Sequence, residues 1–201
     1  MGRPRRTMED WLATREALLH AAAEVLAERG IEGLTIDAVA ARARVAKGTV
    51  QYNLGSKEQM LHDLGRWLLR TNYGAGMGRD EMSELDEISH ALVRGLAGDP
   101  VRLRAILSLI SSAPRLEFAR ELLEAHNDRL DEHILPILER EGVPDRHVAL
   151  ASRMIRGLVL GVCAHWLVKS LGRDFDDLAA EVSAGSAAIV VGFRSGAGVG
   201  A

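Results

Sequence analysis

The residues best suited to chemistry lie between Lys47 and Lys57. That stretch carries two cations (Lys47, Lys57), a residue without a side chain (Gly48), a hydroxyl (Thr49), an amide (Gln51) and a phenol (Tyr52). Ammonium groups neutralise phosphates, and hydroxyl, amide and phenol groups hydrogen-bond to phosphate oxygens and base edges. A glycine among them lets a helix backbone come close to its target. At helical spacing Val50 and Leu54 share one face, and Gly48 and Tyr52, flanked by Thr49 and Gln51, share the opposite one. The chemistry implied is the reading of a double-stranded nucleic acid by one polar helix face.

Such a helix has to be held by others. Ile36, Val39, Ala40 and Ala43 recur at helical spacing behind Thr35, a good N-cap and a further candidate for a phosphate. Val45 begins a tight turn, and a second short helix spans about Lys47 to Asn53. Ser56 with Gln59 is a capping-box pattern for the helix that follows. Upstream, a helix from Met8 or Thr14 to Arg29 has an apolar stripe of Leu18, Leu19, Ala22, Val25 and Leu26, with Gly30 suited to C′. Two short helices around a tight turn, closed by a third, make a helix-turn-helix whose second helix enters the major groove.

The stretch from Ala17 to Leu61 resembles the DNA-binding domain of TetR-family transcriptional regulators. The resemblance rests on Ala21–Ala22, Glu28–Gly30, Thr35, Val39–Ala40, Ala43, Val45, Lys47–Thr49 and Ser56–Glu58 in that order. This chain departs from the family pattern at Arg44 (usually Gly), Ala46 (usually Ser or Thr), Gln51 (commonly Tyr) and Leu54 (commonly Phe), with Tyr52 placing the phenol one position later than usual. Carried over position by position, the resemblance implies Thr49, Gln51 and Tyr52 as readers, Gly48 at the close approach, and Lys47, Lys57 and Thr35 on phosphates. Beyond residue 61 the chain matches the family only in being helical and of the right length.

The bulk properties agree. The chain has 201 residues, 47% hydrophobic and 26% charged, ordinary for a globular protein of one or two domains. Its net charge of −3 hides an asymmetry: residues 1–57 hold nine Lys/Arg against seven Asp/Glu, and residues 58–201 hold sixteen against twenty-one. A mildly basic head on an acidic body fits a DNA-reading module joined to something else. The single cysteine, Cys163, excludes an intramolecular disulfide and points to a reducing compartment. The start, MGRPRRTMED, is basic with no apolar run behind it, and Met154–Val168 is expected to be too short to cross a bilayer. The expected location is therefore the bacterial cytoplasm, without membrane attachment.

Ahead of the first helix, Gly2-Arg3-Pro4-Arg5-Arg6 forms a cationic arm, and Arg3 and Arg5 are candidates for a minor groove. Helix four is expected from Lys57 to about Asn72, followed by a glycine-rich loop at Gly74–Arg79. Further helices are expected at Ser83–Ala97, Pro100–Ser111, Pro114–Glu141 (kinked at Pro136), Asp145–Leu171 and Asp174–Phe193. No strand pattern occurs. The expected fold is all-α with about nine helices: a DNA-binding domain over residues 1–56, an antiparallel helical bundle for ligand binding and dimerisation over 57–194, and a disordered tail over 195–201.

The last two helices are apolar on more than one side, which argues for a second copy of the chain. The expected interface comprises Met154, Gly157, Gly161, His165, Val182, Ile189 and Phe193, the two glycines allowing close helix approach. A ligand pocket is expected among Trp67, Ile106, Phe118, Leu122, Ile155 and Trp166, and with aromatics at only 4% of the chain an aliphatic or weakly polar effector fits best. No metalloprotease, phosphate-loop or dinucleotide motif occurs, so no enzyme activity, metal or cofactor is expected. His126 and His133 lie in a highly charged segment that reads as a solvated face, and Cys163 reads as a small core residue.

The sequence thus predicts a homodimeric repressor that binds a palindromic operator in double-stranded DNA and is released by a small-molecule effector. The alternatives are an effector-independent DNA-binding regulator and a helical small-molecule-binding protein with a vestigial head.

Overall fold

A computed structural model describes residues 7–70, 83–168 and 174–195. The arm with Arg3 and Arg5, the Gly74–Arg79 loop and all but the first residue of the tail lie outside the described residues. The fold is all-α. Among the described residues there are nine helices and no strand: α1 Met8–Gly33, α2 Ile36–Ala43, α3 Lys47–Leu54, α4 Lys57–Leu68, α5 Glu84–Ala97, α6 Pro100–Ser112, α7 Glu117–Arg140, α8 Asp145–Val168 and α9 Phe175–Arg194.

Capping chemistry sets most boundaries. Thr7 and Asp10 form a capping box that starts α1 at Met8. The expected stop at Gly30 is a local break: Gly30 takes φ 66°, open to glycine, and one more turn follows before Leu34. Ser56 and Gln59 cap α4 reciprocally. That helix ends at Leu68 rather than near Asn72. α7 starts three residues later than expected, because Arg115 and Leu116 both donate to the Ser112 carbonyl and close a turn there. It then runs through Pro136.

The described residues divide into two compact units, within Met1–Arg70 plus Arg104–Leu123 and within Thr71–Leu103 plus Glu124–Ala201. The motif-based boundary after residue 56 thus differs from the division by compactness, which keeps α4 with α1–α3.

In the first unit, Leu18, Ala22, Val25 and Leu26 of α1 are buried with Val39 of α2, Val50 and Leu54 of α3, and Met60 and Leu64 of α4. Burial of each large aliphatic side chain contributes about 1.5–3 kcal/mol before entropy is counted. Leu69, Leu109 and Ala119 form a further buried cluster, with Phe118 and Leu122 packed against it. Arg42 of α2 reaches back to Glu24 and Glu28 of α1. Its guanidinium holds the Glu28 carboxyl below the usual carboxylate range. This tie is therefore complete above that range and is lost as pH falls through the lowered value.

In the second unit α9 packs on both α5 and α8. Leu85, Ile88, Leu92 and Val93 of α5 are buried, as are Leu178, Val182, Val190 and Phe193 of α9 and Val148, Ile155 and Val159 of α8. Gly185 permits a close approach, since a Cβ there would stand 2.5 Å from Leu158 Cδ2. Ser152 donates to Asp131 at 2.6 Å, and Arg156 pairs with the same carboxylate, which accounts for an arginine inside the apolar run. Cys163 is buried, and desolvation pushes its thiol up to about 11.

Two expectations need correction here. Val182 and Phe193 are buried inside this unit, Phe193 stacked on His147, so their side chains are spent on the protomer's own core. The length argument against a membrane span also fails, because α8 runs for 24 residues and is apolar enough by composition to cross a bilayer. One side of it packs against α5 and α9, and its Arg156 pairs with Asp131.

Candidate nucleic-acid interface

The short helices α2 and α3 are joined by the turn Arg44–Ala46. Thr35 caps α2, its Oγ1 accepting from the Ala38 N–H at 3.1 Å. The hydroxyl hydrogen is still available to donate to a phosphate oxygen. α2 ends at Arg44 in the left-handed region, φ 56° and ψ 43°. That conformation disfavours a side chain, which explains why glycine is common at this position. The turn is closed by Val45 N–H to the Ala40 carbonyl, 3.0 Å.

α3 is anchored from its inner face. Val50 and Leu54 are buried, as their spacing required. Asn53 is buried beside them, and its Nδ2 donates to the Thr49 carbonyl at 2.7 Å. Outward, Lys47, Gly48, Gln51 and Tyr52 are exposed, Tyr52 to 77%, and Thr49 is half-buried between the two faces. A Cβ on Gly48 would meet nothing within 4 Å, so the space over the helix there is open to an incoming backbone. Ala46 provides no side-chain cap. Lys57, exposed, opens α4 at the edge of the same surface.

The electrostatics are more balanced than the residue types suggested. Lys47 Nζ lies 2.9 Å from Asp37 Oδ2, an exposed pair that an approaching phosphate must compete with. Two residues to which the sequence alone assigned no role also shape this helix. Arg15 of α1 donates to the Asn53 carbonyl and to the Asp63 carboxylate, across 38 and 48 residues of chain. No local pattern marks such a contact. Asn53, three positions after the inward Val50, was open to recognition by spacing alone.

Beside the C-terminal end of α3 lies a cleft of about 600 Å³, lined in part by Arg15, Leu54, His62, Asp63 and Arg66. None of the expected pocket residues lines it. Trp67 is half-buried with its indole N–H donating to Glu16 at 2.6 Å, Ile106 is buried, Phe118 meets the His62 ring at 5.4 Å, and Leu122 packs by Gly65. These four belong to the first unit; Ile155, buried, and Trp166, half-buried, belong to the second.

Residues 18–64 match the model of the bacterial regulatory proteins of the tetR family. This head, residues 18–64, is of the tetR family. The chain is 24% identical over 186 residues to a protein of Escherichia coli strain K12 described as "Probable acrEF/envCD operon repressor", covering 85% of this chain and 83% of that protein. Among solved structures it is similar to NalD of Pseudomonas aeruginosa, the secondary repressor of the MexAB-OprM multidrug efflux pump, with a TM-score of 0.66, 22% identity and coverage of 89% of this chain and 97% of that one. It is also similar to the fatty acid degradation regulator FadR of Bacillus halodurans, with a TM-score of 0.67, 23% identity and coverage of 89% and 99%. Both structures extend the likeness in fold well past the matched head. The protein is a DNA-binding transcriptional regulator.

Proposed function

We propose that this regulator is a homodimeric repressor that reads a palindromic operator through α3. The observation that carries the reading is the outward face of α3: Lys47, Gly48, Gln51 and Tyr52 exposed together on a helix whose inner face is fixed by Val50, Asn53 and Leu54. Thr49, Gln51 and Tyr52 read bases. Lys47, Lys57 and Thr35 hold phosphates, with Arg3 and Arg5 following the minor groove.

Dimerisation is supported by the exposed stripe of α8. Met154 is 45% exposed, Gly157, Gly161 and His165 are exposed, and a Cβ at either glycine would meet nothing within 4 Å. With Val182 and Phe193 committed to the core, α9 contributes Ile189 and the neighbouring exposed Val191. A palindrome read at one helical turn of DNA requires two α3 helices ~34–36 Å apart, and a dimer is what supplies the second one.

Residues 1–56 serve DNA binding, and 57–194 bind the effector and the second copy. The effector is aliphatic or weakly polar, in keeping with the apolar candidates Trp67, Ile106, Phe118, Leu122, Ile155 and Trp166 and with structural neighbours described as regulators of an efflux pump and of fatty acid degradation. Its binding releases the operator only to the extent that it prefers the state with the wrong α3 spacing. The protein acts in the cytoplasm and carries out no catalysis.

The test is binding to DNA from upstream of its own gene, with a salt titration. Six to ten phosphate contacts predict a loss of ~10³–10⁵ in affinity between 50 and 200 mM salt. Tyr52→Ala should weaken the specific complex by roughly 1–3 kcal/mol and leave the melting temperature nearly unchanged, since the side chain is 77% exposed. A salt-insensitive association, or one indifferent to Tyr52→Ala, would count against reading by α3.

A further inference from the structure

α3 is an eight-residue helix with little of its own to hold it. Its N-cap, Ala46, makes no side-chain bond, and no basic residue occupies its last turn. Both deficits fall on the helix that must present its outer face at a fixed angle.

The compensation comes from α1. Arg15 Nη1 donates to the Asn53 carbonyl in the last turn of α3, and Nη2 lies 2.5 Å from Asp63 Oδ2 on α4. One guanidinium thus joins three helices. Its side chain and that of Asp63 are only 25% and 27% exposed, and the Trp11 ring stacks 5.5 Å from the guanidinium carbon. A cation at a helix C-terminus complements the helix dipole, and charge-assisted bonds in partly buried geometry are the stronger kind. The fork needs two nitrogens held at a fixed angle, which lysine lacks.

The bond lands at an informative place. Asn53 is 3% exposed, its Nδ2 holds the Thr49 carbonyl, and its Oδ1 has no partner among the described residues. Asn53 follows Tyr52 and is bonded to the backbone of Thr49, so the outward residues turn with it. A buried, half-satisfied amide is tolerated where its surroundings fix it, and Arg15 supplies that fixing.

We propose that Arg15, braced by Asp63, is a positioning residue for operator recognition: it sets the angle at which α3 offers Thr49, Gln51 and Tyr52 to the bases, without touching DNA itself. The proposal rests on the reading of α3 as the recognition helix.

The experiment uses the full chain with Arg15→Met, Arg15→Lys and Asp63→Asn. Amide exchange without DNA is compared between Val50–Leu54 of α3 and Val39–Ala43 of α2. DNA binding is measured on duplexes selected by the wild-type protein from a random library, and on poly(dI-dC), across salt concentrations. Arg15→Met is expected to speed the α3 amides selectively and to lower affinity for the selected duplexes about tenfold, the scale of one charged hydrogen bond. Affinity for poly(dI-dC) and the salt slope stay as in the wild type. Arg15→Lys does not rescue, and Arg15→Met with Asp63→Asn is non-additive.

Unchanged α3 exchange together with unchanged selected-duplex affinity would overturn the proposal. So would a salt slope reduced by about one, which would make Arg15 a phosphate contact. If the wild type enriches no sequence, the DNA-reading function falls instead, and the exchange comparison alone decides whether Arg15 holds α3.

Discussion

Two exposed helix faces of this protein have opposite chemistry. On α3 the outward residues are Lys47, Gly48, Gln51 and Tyr52; on α8 they are Met154, Gly157, Gly161 and His165. Both rows are uncovered in one protomer, and both contain glycine where a Cβ would meet only open space. The first row offers hydrogen-bond donors and a cation, which suits a polyanion. The second offers one apolar side chain, two glycines and a single imidazole, and its apolar and small groups gain by excluding water against a like surface. Exposure alone therefore does not indicate a partner. The donors left over once the inner face is buried do.

That contrast breaks most visibly at the glycines of α8. Gly161→Glu puts a charge on the α8 stripe without a clash inside the protomer, so the folded monomer should persist. Sedimentation should show monomers, and operator affinity should fall by ~10²–10⁴ with the loss of paired heads. A mutant that stays dimeric would show that this stripe is not the interface.

The recognition side is sharpened by restoring its missing cap. Ala46→Ser supplies the hydroxyl that the N-terminus of α3 lacks and should stabilise the protein by ~1 kcal/mol in denaturant unfolding. A helix loosened chiefly by that end would also gain operator affinity. If stability rises and affinity does not, the setting of α3 is governed from its other end.

The smallest effect concerns Asp37. It pairs with Lys47, both side chains more than half exposed, at 2.9 Å. Asp37→Asn frees the ammonium and removes a negative charge from the DNA-facing edge. Operator affinity should rise only a few-fold, the scale of an exposed ion pair, and the gain should fade at high salt. An unchanged affinity would mean that Lys47 keeps away from phosphate in the complex.

Much of this was legible in the chain. The inward pair Val50 and Leu54, the caps at Thr35 and Ser56, and the stripe Leu18, Ala22, Val25 and Leu26 follow from local spacing and local hydrogen bonds. Arg44 was visible as a misfit, and its left-handed backbone supplies the cause. The helix count followed from Gly and Pro punctuation. The ends that slipped, at Gly30, Leu68 and Glu117, were decided by turns whose hydrogen bonds compete with one more helical turn.

The misreadings share one physical reason. Val182 and Phe193 looked like candidates for a second subunit because α9 is apolar on more than one side, and a sequence cannot say which apolar side its own neighbours will claim. Packing of α5 and α8 on α9 made that choice. Arg15 was invisible because its partners, Asn53 and Asp63, are remote in sequence and its bond goes to a backbone carbonyl that every residue possesses. The sequence by itself determined the helices, most of their caps and the chemistry of the outward face of α3, since these depend on neighbours within about one turn. Only the tertiary structure decided which apolar faces are spent inside the protomer and which distant side chain bonds to the end of α3, because those depend on what the folded chain brings within reach.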